Sequence, residues 1–374
     1  MGATATSSRP PTDGGYARVK DVDGTKGQGR GAMTRAAMKD VAELSGVSIA
    51  TVSRVLNGRP DVSPTTRADV LGHIRALGYV NNRGARARPN GHERLISLTV
   101  PHTWGEYVVE IVSGAVEALE ERNAHLVICS PRKDVAEAPL KERLLHGTTD
   151  GALLVLPSES GEELVALYQS GYPLVAIDPV TPIHADIPVV ATTNWAGAKT
   201  ATDYLITLGH THIGVVSGPI GWAGGADRLA GYQAALLAAG LPLTPALVRQ
   251  ADLTIDGGYH ATRHLLSLPR AATAIFALND PMAVGALRAA REKGVDVPRE
   301  LSVIGFDDLG VSAVMTPALT TVRQPLQGLG RTGANVLYQL LEGQELDATR
   351  VELSAKLVVR ESTAPPSGMS FMTY

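Results

Sequence analysis

A chain of 374 residues, 44% apolar, has material for two or three full hydrophobic cores, but with only 4% aromatics those cores must be built from Ala, Val, Leu and Ile. Its single cysteine, Cys129, excludes an internal disulfide and any cysteine-cluster metal site, and suits a reducing compartment. The formal charge of −3 conceals an asymmetry: the first 92 residues hold 14 Lys/Arg against 7 Asp/Glu and the remainder 20 against 30, so the leading end can meet phosphates that the rest would repel.

Residues 1–34 are rich in Gly, Thr, Ser and Pro, lack apolar periodicity and are expected to form a disordered tail. The fragment Gly27-Gln28-Gly29-Arg30-Gly31 follows no strand and opens no helix, so it is not read as a phosphate loop. From Met38 the pattern changes. Val41, Ala42 and Leu44 recur at helical spacing, Gly46 breaks the run, and Ser48 can cap a second helix carrying Val52, Val55 and Leu56 on its inner face. Two short helices joined by a tight glycine turn make a helix-turn-helix, whose second helix lies in the DNA major groove with its first residues against base edges. Small and hydroxylated residues crowd one face of that helix, where a buried helical hairpin would carry large apolar ones. Ser63-Pro64 then opens a third helix, with Val70, Ile74 and Leu77 facing inward, and Gly78 ends it. Residues 35–80 are thus expected to be a DNA-binding domain. Residues 81–93, basic and weakly helical, are expected to be a hinge.

From Arg94 onward short apolar runs alternate with amphipathic helices. The runs span residues 95–100, 125–129, 151–156, 173–177, 189–192, 212–216, 274–278, 301–306 and 320–322; helices are predicted over 107–122, 162–170, 195–208, 227–239, 256–267, 281–293 and 326–342. Strict alternation of strand and helix means parallel sheets covered on both faces. The strands are too many for one layer and the pattern restarts near Asn194, so two subdomains are expected. No run approaches the roughly 20 apolar residues of a membrane span, and the N-terminus lacks the apolar core of a signal peptide. A cytoplasmic, nucleoid-associated protein is expected.

The stretches Asp40-Val41-Ala42, Gly46-Val47-Ser48 and Thr51-Val52-Ser53-Arg54-Val55-Leu56-Asn57 closely resemble the DNA-binding domain of the lac repressor (LacI/GalR) family of bacterial transcription regulators. Leu208-Gly209-His210-Thr211-His212-Ile213-Gly214, Asp227-Arg228-Leu229-Ala230-Gly231-Tyr232, Leu278-Asn279-Asp280 and Ile304-Gly305-Phe306-Asp307-Asp308 extend the resemblance to about residue 362. It implies an α/β protein: a three-helix headpiece, a hinge, and a two-subdomain core like a periplasmic sugar-binding protein. It also implies that residues 320–343 return to the first subdomain, 94–191, while 192–319 and 344–362 form the second, leaving 363–374 as a tail. The expected partners are double-stranded operator DNA, a mono- or oligosaccharide effector and a second copy of the chain, with a tetramer left open; no membrane, cofactor or metal is expected. The function implied is a repressor of carbohydrate genes released from a palindromic operator by a sugar. A nucleobase-type corepressor is the alternative.

In open parallel sheets ligands sit outside the carboxyl ends of the strands. Asp178, Asn279, Asp307 and Gln324 stand at such ends, and by resemblance they match effector-contacting positions, as does Arg228; His102 and Trp104, after the first strand, are further effector candidates. Carboxylates and amides that bridge adjacent hydroxyls, with one bidentate arginine, are what a sugar requires. Asp280-Pro281 reads as a helix cap rather than a ligand contact, and Asp308 as structural. Many family members place an aromatic residue where Leu253 stands, which leaves Trp104, Tyr107 or Trp222 to stack on the effector. His210 and His212 lack a third ligand and are not read as a metal site.

For DNA, Ile49 and Ala50 sit where the family reads bases and can contact thymine methyls; Arg54 is the candidate for guanine. Ser48, Thr51, Ser53 and Asn57 are expected to hold phosphates or position the helix. The hinge residues Asn82, Arg83, Arg86 and Arg88 are further candidates. The resemblance places a minor-groove leucine where Arg88 stands, so here either an arginine enters the narrow groove or the central kink is weaker. A solute-binding protein for uptake would need an export signal and no headpiece. An enzyme would need a nucleophile, an acid/base pair or a phosphate loop, and none has sensible spacing.

Overall fold

The computed structural model describes residues 38–56, 59, 61–77, 93–101, 105–130, 140, 144 and 149–367. The chain divides into two units, residues 1–79 and 80–374. Among the described residues, no helix is long and apolar enough to cross a membrane.

In the first unit, helices α1 (Met38–Leu44), α2 (Ile49–Leu56) and α3 (Pro64–Ala76) surround a small core of Met38, Val41, Ala42, Val52, Val55 and Val70, with Val47, Val62, Ile74 and Leu77 packed against it. Gly46 adopts φ +61°, a left-handed conformation that costs glycine little, and the turn it closes bonds Val47 N back to Ala42 O at 3.1 Å. Leu44, which recurs at helical spacing with Val41 and Ala42, is 56% exposed; with α1 only seven residues long, its last position runs past the core. The side chain of Leu56 lies outside the described set.

The second unit contains two six-stranded sheets. The first holds β1 (Arg94–Thr99), β2 (Ala124–Cys129), β3 (Gly151–Val155), β4 (Leu174–Ile177) and β5 (Val189–Thr192), flanked by α4 (Glu106–Glu120) and α5 (Gly161–Gln169). The second holds β6 (Ile213–Ser217), β7 (Val248–Gln250), β8 (Ala274–Ala277), β9 (Ser302–Asp307) and β10 (Thr320–Arg323). Its helices are α6 (Asn194–Thr207), α7 (Ala223–Ala238), α8 (Ile255–Leu265), α9 (Asp280–Glu292) and the short α10 (Gly310–Val314). The chain then forms α11 (Leu326–Leu341), β11 (Arg350–Leu353) and β12 (Lys356–Val358). Strand order is β11-β5-β4-β3-β1-β2 in the first sheet and β12-β10-β9-β8-β6-β7 in the second; only β12 runs antiparallel, against β10. The central strands β3, β4, β8 and β9 are buried along their whole length, as expected of parallel strands covered on both faces.

The closing segment differs from the sequence expectation. Residues 320–323 do not return to the first subdomain: Thr320 lies opposite Ile304 and Arg323 opposite Asp307, so β10 extends the second sheet. The return begins at Pro325, which has no N–H to offer a ladder, and continues through α11, which packs on α4. Nor do residues 344–362 all belong to the second half. Arg350 pairs opposite Val189, putting β11 in the first sheet, and β12 crosses back. Strands β7, β11 and β12 and the helix α10 were not predicted.

Where α4 and α11 cross, Gly114 and Gly330 let the backbones touch: a Cβ on Gly114 would overlap the Gln327 carbonyl, and one on Gly330 the Ile111 carbonyl. Together the two helices roof one face of the first sheet, with Ile96, Leu98, Leu153, Val175, Leu329 and Leu337 in the core between.

Candidate functional sites

The polar groups at the strand ends converge. Asp178 follows β4, Asp307 ends β9, Gln324 follows β10, and Arg228 reaches across from the second turn of α7. All four are buried, Arg228 to 2% exposure. Gln324 Nε2 donates to Asp307 Oδ1 at 2.6 Å, and Arg228 Nη1 stands 3.5 Å from the same oxygen. Arg228 also donates from Nε to Asn194 Oδ1 at 2.8 Å and from Nη1 to the Leu278 carbonyl at 2.5 Å. Its guanidinium lies 3.7 Å from the centre of the Phe306 ring and 5.0 Å from that of Trp222. Arg228 is therefore a buried, multiply bonded side chain and not a surface ion pair.

Across the cleft, Tyr107 on α4 donates its hydroxyl to Asp178 Oδ2 at 2.7 Å. Asp178 and Asp307 hold φ values of +48° and +127°, conformations that non-glycine residues rarely adopt and that concentrate where a chain is strained for function. Burial pushes the Asp307 carboxyl up to about 8, opposed by Arg228 and reinforced by the neighbouring Asp280. Burial also raises the Tyr107 hydroxyl, with Asp178 and Asp307 adding to the effect. The two halves touch on both flanks of this cluster: Ala223 N donates to the Val180 carbonyl at 2.8 Å, and Gly310 N to Glu106 Oε1 at 2.6 Å.

Asn279 is brought to the site with both ends of its side chain bonded. Its Oδ1 accepts from Met282 N at 2.8 Å as the N-cap of α9, and its Nδ2 donates to the Leu253 carbonyl at 3.3 Å. The helix cap expected of Asp280 thus belongs to Asn279. Asp280 instead lies buried in the first turn, accepting from Leu309 N, Ser312 Oγ and Thr321 Oγ1 at 2.9, 2.6 and 2.6 Å, and burial raises its carboxyl to about 6. Asp308 is tied to Arg323 and Arg360. Leu253 and the Trp222 indole meet over Gly218, where a Cβ would strike both, so an aromatic face does reach the neighbourhood of Leu253, carried by a different loop. His102 and Trp104 lie outside the described residues. Asn194 and Phe306 were not singled out from sequence; Asn194, a polar residue just past β5, fits the strand-end signal that identified the others.

His210 is buried and bonded to Thr273, Ser302 and the Ala364 carbonyl, and burial lowers its pKa. Among the described residues no group of three or more His, Cys, Asp or Glu is placed to hold a metal ion.

In the first unit, Ser48 caps α2: its Oγ accepts from Thr51 N at 3.1 Å and lies 2.9 Å from Thr51 Oγ1. Ile49 is 49% exposed at the first position of α2, Ala50 is exposed beside it, and Thr51 and Ser53 are half-buried. Arg54 is exposed one turn on, with its Nη1 3.7 Å from Asp61 Oδ2. Asn57, Asn82, Arg83, Arg86 and Arg88 fall outside the described residues, as do residues 81–92 of the expected hinge.

Residues 37–82 match the bacterial regulatory proteins, lacI family, and residues 202–363 match the periplasmic binding protein-like domain. The HTH-type transcriptional regulator CelR of Thermobifida fusca is 36% identical over 341 residues, spanning 88% of this chain and 98% of that protein. The chain belongs to the lacI family of bacterial regulatory proteins. Two solved structures of lacI-family proteins have the same architecture over 88% of this chain and all of theirs. One is a transcriptional regulator CelR–cellobiose complex, with a TM-score of 0.68 at 34% identity. The other is a lac repressor dimer bound to operator and the anti-inducer ONPF, with a TM-score of 0.66 at 28% identity. These relatives are regulators rather than enzymes.

Proposed function

We propose that this chain is a DNA-binding repressor whose grip on a palindromic operator is released by a sugar bound between the two sheets of its second unit. The observation that carries the reading is the buried set of Arg228 with the strand-end residues Asp307 and Gln324, facing Asp178 and Tyr107. A guanidinium and an amide donate, two aspartates accept, and Trp222 supplies an apolar ring face, while the buried Phe306 ring backs the Arg228 guanidinium. Adjacent hydroxyls on a sugar ring need that mixture. Arg228, Asp178, Asp307 and Gln324 contact the effector in this reading, with His102, Trp104, Leu253 and Asn279 around them.

A pair of headpieces reads the operator. Ile49 and Ala50 pack on thymine methyls and Arg54 donates to guanine, while Ser48, Thr51, Ser53 and Asn57 seat α2 on the phosphates and Asn82, Arg83, Arg86 and Arg88 add DNA contacts from the hinge. Of the two regulators matched over most of this chain, one is a complex with cellobiose and the other a dimer bound to operator, which agrees with operator binding by two copies.

The experiment is a thermal-shift screen of the full chain against mono- and oligosaccharides. A sugar at roughly 100 times its dissociation constant adds about 2.7 kcal/mol to the stability of the unit that binds it. A screen in which nucleobases shift the melt and sugars do not would replace the sugar reading.

A further inference from the structure

In the first unit, the chain that follows α2 is fastened from α3. Arg67 donates to the Val55 carbonyl at 3.4 Å and to the Arg59 carbonyl, and Arg59 N in turn donates to the Arg54 carbonyl at 3.0 Å. Held in this way, the connection returns Asp61 to α2, where its Oδ2 lies 3.7 Å from Arg54 Nη1. The Arg54 and Asp61 side chains are 61% and 56% exposed, so the carboxylate shares the open face from which Arg54 is offered to DNA. Glu43 lies by Lys39 and Asp69 by His73, each pair within one helix; Asp61 is instead set against an arginine of another element, the helix that reads DNA.

An acidic group in that position works against affinity. It repels the phosphates that supply the sequence-independent part of DNA binding, and an ion pair this exposed adds little to folding. What it can do is direct the guanidinium. An unrestrained arginine has many rotamers and meets a phosphate of any sequence as readily as a base. With Nη1 drawn toward Asp61 those rotamers narrow, and the remaining N–H groups stay free for the paired acceptors on the major-groove edge of guanine. A phosphate that takes Arg54 instead must lie beside the Asp61 charge, which penalises the wrong contact rather than strengthening the right one.

We propose that Asp61 is a specificity-determining residue of the DNA-binding unit: it steers Arg54 toward a base edge and opposes its diversion to the backbone, so that general affinity is given up for discrimination at one base pair. The inference rests on the base-reading role of Arg54 given above.

Fluorescence anisotropy of the full chain tests it, on a selected operator, on that operator with each base pair changed in turn, and on a random duplex. Asp61→Asn, which removes the charge and keeps the volume, should bind the random duplex about three-fold more tightly and lose about three-fold of the preference at the base pair that Arg54→Ala identifies, the size of an exposed ion pair. Asp61→Glu, which keeps the charge, should retain the preference, and in the Arg54→Ala background Asp61→Asn should change no base preference at all. Melting curves establish that the variants are folded. A preference that survives Asp61→Asn at the Arg54 base pair overturns the inference and leaves Arg54 a base reader. A preference lost at a different base pair also overturns it, and makes Asp61 itself a reader of cytosine. If Arg54→Ala weakens operator and random duplex equally, Arg54 is a phosphate contact and the inference falls together with that reading.

Discussion

Asp307 illustrates how a candidate binding residue can cost the fold that carries it. Its carboxyl is buried against one arginine with two further aspartates nearby, so the folded protein favours the protonated form at a pH where the unfolded chain is ionised. Because the folded pKa is raised, the stabilising contribution is complete below the unfolded value near 4 and is lost as pH rises toward about 8. Asp280, raised to about 6, acts in the same direction over a narrower window. Without effector, the melting temperature of the wild type should therefore fall between pH 5 and pH 8 more steeply than that of Asp307→Asn, and the gap between the two proteins should shrink or invert at the upper end. Parallel profiles would remove the burial argument. At Arg54 the expected effect concerns DNA. Arg54→Ala should cost on the order of 1–3 kcal/mol at the operator and relax one base preference, as loss of a base-reading arginine does. Equal loss on random DNA, measured by fluorescence anisotropy, would make Arg54 a phosphate contact instead.

At the scale of elements, the site depends on helices that meet without side chains between them. The α4–α11 crossing brings Tyr107 and Glu110 to the cleft, and Gly330 sits against the Ile111 carbonyl at the point of contact. Gly330→Ala should destabilise the second unit by about 1–3 kcal/mol through overpacking. Gly161→Ala, at a helix start where an added Cβ meets nothing, should be neutral or slightly stabilising. Denaturant melts of the two variants read the contrast directly, and equal effects would mean the crossing tolerates separation. Much of this level was legible in the sequence. Uninterrupted apolar runs such as Leu174–Ile177 and Ala274–Ala277 mark strands buried on both faces, and Gly46 before Ser48 marks the turn into α2. The short strands β11 and β12 were not, because Arg350, Glu352 and Lys356 interrupt their apolar residues as edge strands require. Asn279-Asp280-Pro281 carries two capping residues in succession, and only the fold decides that Asn279 takes the cap while Asp280 turns inward to Ser312 and Thr321.

For the whole molecule, the strand-end rule located Asp178, Asp307 and Gln324 because it depends on topology, which alternation reveals. It missed what depends on distance across the fold. Tyr107 and Asp178 are 71 positions apart in sequence and joined by one hydrogen bond, and the Trp222 indole reaches the neighbourhood of Leu253 from another loop. Sheet membership of β10 was misplaced for the same reason, since a strand's partner is not written in the strand. In the proposed mechanism the two units of the chain are parts of one device, in which the sugar and the operator compete for the same conformational equilibrium. Coupling of that kind is reciprocal: the factor by which sugar weakens operator binding equals the factor by which operator weakens sugar binding. The direct test is fluorescence anisotropy of the full chain on an operator recovered by selection from random duplexes, titrated with and without the sugar that shifts its melt. Saturating sugar should raise the operator dissociation constant at least ten-fold, and Asp307→Ala should bind the same operator without responding to sugar. A sugar that stabilises the protein yet leaves operator affinity unchanged would contradict the mechanism.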